Sequence, residues 1–201
     1  IEEALLNKKI DLAVHSHKDL ETNPPRGLLV AAVSDREDPS ELLLIRKEAV
    51  NSSKRFSMKE KAIVGTSSAR RKSQLLAFRS DIEIKELRGN VPTRINKLRE
   101  GDYDAIMLAK AGVTRLKIDL SEFHVVTLDP KEFIPAPAQG ALGLQIREND
   151  TELFKLLQQM NDRDVQKRIY IERKVLNLLD GGCQLPLGVY CEEEYGIMKT
   201  W

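Results

Sequence analysis

The chain has 201 residues, 41% of them hydrophobic and 31% charged, which suits one large or two smaller globular domains. Its 32 basic and 31 acidic residues leave a formal charge of +1, so a global basic field for nucleic acid is excluded and any anion site must be local. Two cysteines without a pairing pattern point to a reducing compartment, no run of about 18 apolar residues suggests a membrane span, and no signal peptide is visible, so the cytoplasm is the expected location.

Residues 1–9 read as a helix already under way at Ile1, and the chain as a fragment. Residues 11–15 form a short apolar run of strand type, followed at once by Ser16-His17-Lys18-Asp19, where an α/β sheet puts its binding loops. Asn23-Pro24-Pro25-Arg26-Gly27 is a turn, and residues 28–33 are an uninterrupted apolar strand. Residues 34–39 are polar and suggest a crossing between lobes, before a strand at 42–45. A second unit then alternates strands at 62–64, 82–87 and 104–108 with helices at 69–79, 91–100 and 110–116, Ile95 and Leu98 facing inward. That rhythm predicts a parallel sheet with crossover helices. Residues 133–140 are a proline-rich return, after which a strand at 141–146 is expected to rejoin the strands of residues 1–34. Helices follow at 150–160 and 162–179, the second with Val165, Ile169, Leu176 and Leu179 at core spacing. The end, from Tyr195 to Trp201, carries no recognisable element.

Three loops share a character. Thr66-Ser67-Ser68-Ala69-Arg70-Arg71 follows a strand and opens a helix, where hydroxyls cap and free amides attract anions. Two arginines in a first turn oppose the helix dipole, which suggests an anionic ligand, although solvated surface arginines fit the pattern equally. Arg88-Gly89-Asn90 with Arg94 repeats the arrangement after the next strand, and Arg115 comes after the third. Arginines at three strand ends would converge on one cleft, and their planar forks suit a ligand with several carboxylates. No glycine-rich nucleotide signature is present. His15 and His17 fall on opposite strand faces, which argues against a metal pair, whereas Asp19 beside Lys18 is an acid–base or cation-stabilising candidate. His124 reads as an ordinary exposed residue.

The stretch Leu178-Leu-Asp-Gly-Gly-Cys-Gln-Leu-Pro-Leu-Gly188 ends the last helix. Gly181-Gly182 can be a helix cap with Cys183 a packed thiol, or a hinge that presents the thiol to a cleft as the carrier of a covalent group. Cys183 and Cys191 are eight residues apart without a Cys-x-x-Cys, which gives a redox role poor support.

Five motifs appear in order: Asp11-Leu-Ala-Val-His-Ser-His-Lys-Asp19, Val64-Gly-Thr-Ser-Ser-Ala-Arg-Arg71, Leu87-Arg-Gly-Asn-Val-Pro-Thr-Arg94, Pro135-Ala-Pro-Ala-Gln-Gly140 and Gly181-Gly-Cys-Gln-Leu-Pro-Leu-Gly188. Together they resemble the porphobilinogen deaminase (hydroxymethylbilane synthase) family of tetrapyrrole biosynthesis over nearly the whole chain. The resemblance implies an α/β fold, with two lobes like those of periplasmic binding proteins and part of a small third α+β domain. Residues 1–34 and 141–158 would belong to the first domain, 35–140 to the second and 159–201 to the third. It implies a cytoplasmic, monomeric transferase that joins four porphobilinogen units on a cysteine-linked dipyrromethane, releasing ammonia and then the linear tetrapyrrole, with no metal, nucleic acid or membrane partner. Cys183 would attach the cofactor, and Asp19 would stabilise the pyrrole cation with Lys18 beside it. Ser16, Lys18, Thr66, Ser68, Arg70, Arg71, Arg88, Gly89, Arg94 and Arg115 would hold acetate and propionate groups, and Gln139 would lie at the hinge. Glu21 stands where the family often has proline, and the family's Gly-Thr-Arg-Gly-Ser-type segment is absent, so the chain alone is expected to be largely apo and inactive. The competing class is a non-catalytic polycarboxylate-binding lobe pair on the same architecture.

Overall fold

The computed structural model describes residues 1–21, 24–179 and 185–201, and it is α/β. The chain divides into two compact units, one of Ile1–Asp38, Ala136–Gln184 and Val189–Trp201, the other of Pro39–Pro135 and Leu185–Gly188.

The second unit is built on a five-stranded sheet in the order β5-β4-β6-β3-β7, with β3 Glu41–Ile45, β4 Ile63–Gly65, β5 Glu83–Lys85, β6 Ala105–Ala109 and β7 His124–Leu128. Side chains alternate across it. Leu43, Ile45, Val64, Ala105 and Met107 pack on one face with Leu75 of α2 (Ala69–Phe78). Leu42, Leu44, Ile106 and Leu108 pack on the other with Ile95 and Leu98 of α3 (Val91–Arg99) and Val113 of α4 (Lys110–Arg115). Both faces are therefore covered, which is why these strands read as unbroken apolar runs.

The parallel sheet expected of the strands at 62–64, 82–87 and 104–108 is present. β4 runs parallel to β5 and β6, as helical crossovers require, but β3 is antiparallel to both β6 and β7. No crossover helix links β3 to β4, so nothing obliges it to run the same way.

In the first unit, β8 (Leu142–Arg147) lies between β1 (Ala13–Ser16) and β2 (Leu28–Val33), antiparallel to each. The expected return of the strand after Gly140 to the opening residues is thus present. α1 (Glu2–Leu6) is shorter than the sequence suggests. The helix expected at 150–160 is α5 (Thr151–Leu157) followed by a 3-10 turn, and it packs Leu157 on Ala31, Ala32, Leu144 and Ile146. The longest helix, α6 (Arg163–Leu178), packs Val165 and Ile169 on Val33, Ala138 and Ala141. Leu176 is buried as expected, but Leu179 is 57% exposed, because it is the C-cap beyond the last packed turn.

The closing residues do form an element. β9 (Cys191–Glu194) and β10 (Ile197–Thr200) make an antiparallel hairpin turning at Tyr195-Gly196, both with positive φ. Such a two-residue turn matches strand twist, but a tyrosine in it carries no ordinary turn signal. With α6 this hairpin forms the smaller α+β portion of the fold. No described helix is long and apolar enough to cross a membrane.

Candidate functional site

Parallel strands β4, β5 and β6 end on one edge of their sheet, so the loops that follow them lie together. After β4, the Thr66 hydroxyl accepts the Ser68 amide, and the Ser68 hydroxyl caps α2 by accepting the Arg71 amide. Ser67 exchanges hydrogen bonds with Leu87, donating to its carbonyl at 2.9 Å and accepting its amide at 3.0 Å. This ties the β4 loop to the β5 loop.

Arg70 and Arg71 are not the solvated surface arginines that the sequence pattern also allowed. Both are buried on Glu41, which is itself fully buried. Arg70 Nη2 lies 2.6 Å from Glu41 Oε1, while Arg71 spans the carboxylate with Nη2 to Oε2 at 2.6 Å and Nε to Oε1 at 3.0 Å. Arg70 also donates to the Ile134 carbonyl and Arg71 to that of Met107. Glu41 reaches this edge because β3 runs against β6, which pairs Glu41 with Ala109 at the end of β6. Burial pushes the Arg70 guanidinium down from its ordinary range, with Glu41 opposing and Arg71 adding to the shift. Two guanidiniums against one carboxylate leave this triad at +1, in the first turn of a ten-residue helix. An anionic carboxylate fits that charge and the first-turn amides, but most of the fork geometry of both arginines is spent inside the protein.

The other arginines differ. Arg88 is largely exposed; its guanidinium meets Glu86 at 3.3 Å, a pair that water screens strongly, and its carbonyl accepts Lys97 Nζ at 3.3 Å. Gly89 sits at φ +118 and serves as the turn itself; its carbonyl accepts Arg94 Nε at 2.7 Å. Asn90 caps α3 by accepting the Thr93 amide. Arg115 does not stand at a strand end. It occupies the last turn of α4, whose first residue, Lys110, directly follows β6. The expected convergence of five arginines is therefore reduced to the group at the starts of α2 and α3.

In the first unit, Ser16 ends β1 and a 3-10 turn, His17–Asp19, follows. Lys18 Nζ donates to Gln139 Oε1 at 3.2 Å, and Gln139 is completely buried. Asp19 is exposed and accepts no hydrogen bond among the described residues. The buried His17 finds no partner for Nδ1 among the described residues. Burial first, then Arg173, Arg36 and His15, lowers its pKa to about 4. It is a neutral packed histidine, and no described group of His, Cys, Asp or Glu is arranged to hold a metal ion.

Three side chains that sequence reasoning did not single out organise this unit. Glu172 of α6 accepts Arg36 in a two-pronged pair, at 2.7 and 3.1 Å, and also the amides of Ala138 and Cys191. Arg36 Nε in turn donates to the Gln139 carbonyl. Arg173 donates to backbone carbonyls of the His17–Glu21 segment. A charge at core spacing on a helix, as at Glu172, was the available signal. Cys191 is buried, and burial raises its thiol pKa, so it resists forming the reactive thiolate. Cys183 lies outside the described residues.

The family model described as "Porphobilinogen deaminase, dipyromethane cofactor binding domain" matches residues 1–155. The porphobilinogen deaminase of Bacillus subtilis (strain 168) is 45% identical over 193 residues, 94% of this chain and 59% of that protein. That of Maridesulfovibrio salexigens is 45% identical over 202 residues, 99% of this chain and 63% of that protein. The chain thus spans 59–63% of the length of these relatives. Among solved structures, an ancestral cationic amino acid solute binding protein covers 89% of this chain and 70% of its own, with 16% identity and a TM-score of 0.47.

Proposed function

Because the chain belongs to the porphobilinogen deaminase family, we propose that the protein it represents joins four porphobilinogen units head to tail, releasing ammonia at each addition, and then hydrolyses off the linear tetrapyrrole hydroxymethylbilane. Cys183 would hold the dipyrromethane as a thioether, and that group would supply the free pyrrole α-carbon from which growth starts. In each addition the aminomethyl C–N bond of porphobilinogen breaks, nitrogen leaves as ammonia, and a C–C bond forms as the α-carbon gives up its proton. Positive charge develops on the substrate's pyrrole nitrogen as ammonia departs.

The observation that carries this reading is the Lys18–Asp19 turn. Lys18 is held by a buried glutamine, and Asp19 is left exposed with its carboxylate available. A fixed carboxylate beside a developing cation lowers the barrier to its formation without having to reorganise. Ser16, Lys18, Thr66, Ser68, Arg88 and Arg94 would hold carboxylates of the cofactor and the growing chain. Arg70 and Arg71, compensated by Glu41, would act mainly as a fixed positive end of α2, and Gln139 would carry Lys18. Arg115 and Gly89 have weaker claims, one from its place in the last turn of α4 and the other from its turn geometry. The proposed domain limits are 1–34 with 141–158, 35–140, and 159–201, in a cytoplasmic monomer.

Incubation with porphobilinogen tests the reading, using the protein at the full length of its relatives. Ammonia release with a product that oxidises to a coloured porphyrin supports it. Binding of the substrate without ammonia release would instead favour a non-catalytic polycarboxylate-binding lobe pair.

A further inference from the structure

The turn that carries Lys18 and Asp19 is anchored by the buried side chains of His17 and Leu20, whereas Asp19 between them is exposed. A cavity of about 350 Å³ runs beside it, lined by His17, Leu20 and Glu21 together with Val30, Val33 and Ile169. On its other side lies the bare backbone of Gly143, where an added Cβ would stand 3.0 Å from Leu20 Cδ1 and 3.4 Å from His17 Cγ. Within the turn the Leu20 amide donates to the His17 carbonyl at 3.3 Å, and the last carbonyls of so short a helical turn otherwise look to donors elsewhere.

Arg173 supplies those donors. Its Nη1 donates to the carbonyls of His17 at 3.2 Å and Leu20 at 3.1 Å, and its Nη2 donates to that of Glu21. Three carbonyls that bracket Lys18 and Asp19 thus converge on one planar fork. The neighbouring residue on α6, Glu172, holds Arg36, which holds the Gln139 carbonyl, and Gln139 accepts Lys18. Both ends of the Lys18–Asp19 pair are therefore moored to adjacent positions of one helix.

We propose that Arg173 is the positioning residue of this site, fixing the backbone of residues 17–21 and so the direction in which Asp19 presents its carboxylate. It acts through the turn and touches no reacting atom. The inference rests on the reading of Asp19 as the carboxylate that faces the substrate. A lysine at 173 keeps the charge but replaces the fork by a single point donor.

Arg173→Gln in the protein at its relatives' full length tests this with two readouts. Amide exchange at His17 and Leu20 should speed up about tenfold, on the scale of lost charge-assisted hydrogen bonds. Turnover should fall about tenfold while KM changes less than about twofold, because alignment is lost rather than affinity. Arg173→Lys should recover part of the turnover. Unchanged exchange overturns the proposal, and so does raised exchange with unchanged turnover. If amides of β2 and β8 lose protection as well, the variant has unfolded, and Arg173→Lys then decides by the same two readouts. A wild-type protein without turnover removes the functional reading, and the exchange readout alone then decides whether Arg173 fixes the turn.

Discussion

Arg71 grips Glu41 through two parallel hydrogen bonds, Nη2 to Oε2 at 2.6 Å and Nε to Oε1 at 3.0 Å, with both side chains buried. Arg70 meets the same carboxylate. Removing Glu41 would strand two guanidiniums away from water. Glu41→Ala is therefore expected to cost about 3–5 kcal/mol of stability, measured by urea denaturation. Arg88→Ala, at an exposed position, should stay within about 0.5 kcal/mol. Equal effects of the two changes would mean that the buried triad contributes nothing special.

His17 makes stability depend on pH. Its folded-state pKa is about 4 against an ordinary 6.5, so between these values the unfolded chain binds the proton and the folded chain does not. Stability is complete above about pH 6.5 and falls as pH drops toward 4, by an amount of order 3 kcal/mol. His17→Gln removes this contribution. Denaturation midpoints of the wild type should fall more steeply from pH 7 to 4.5 than those of the variant, and parallel curves would contradict the assignment.

Asp19→Asn keeps the shape of the turn and removes the charge. In the protein at its relatives' full length, turnover should drop by about two orders of magnitude, the scale of a lost preorganised electrostatic partner. Porphobilinogen binding should fall much less. Near-normal turnover would sink the role given to Asp19.

The two thiols should behave differently. Cys191 is buried, and its thiolate is disfavoured, so it should resist alkylation in the folded protein until denaturant is added. A dipyrromethane, when present, should appear as an acid-stable mass addition on Cys183 alone. Cys183→Ser should abolish the addition and Cys191→Ala should keep it. Modification mapped to Cys191 would reverse the assignment.

Most of the fold was legible because the second unit is covered on both faces. Runs such as Leu42-Leu43-Leu44-Ile45 leave little choice but a buried strand. The direction of β3 was not legible, since strand polarity relative to β6 depends on a connection with no helix in it. At the site, the motifs brought out Lys18, Asp19 and Gln139, and the structure joins Lys18 to Gln139 directly. The surroundings of Arg70 and Arg71 were not legible. Their place in a first turn indicated a need for negative charge, and the sequence could not say that Glu41, 29 positions upstream of Arg70, meets it. Glu172 offered only its place at core spacing as a signal and Arg173 offered none, because charged residues in a charged helix look solvated until their partners, more than 130 positions away in the chain, are in place.

The pairing of β8 with β1 and β2 sets an order of events during synthesis. Every strand of the second unit lies between Glu41 and Leu128, so its sheet can close while the ribosome is still extending the chain. The first unit cannot. Among the described residues β1 and β2 pair with β8, and that central strand emerges more than 100 residues after them. Until Arg147 is out, the pairing of both strands with β8 waits on a long-range loop closure. The second unit can therefore be finished while β1 and β2 still wait for β8. A substitution that delays β8 would do its damage there, through aggregation of the half-made protein, even if the finished molecule tolerated it.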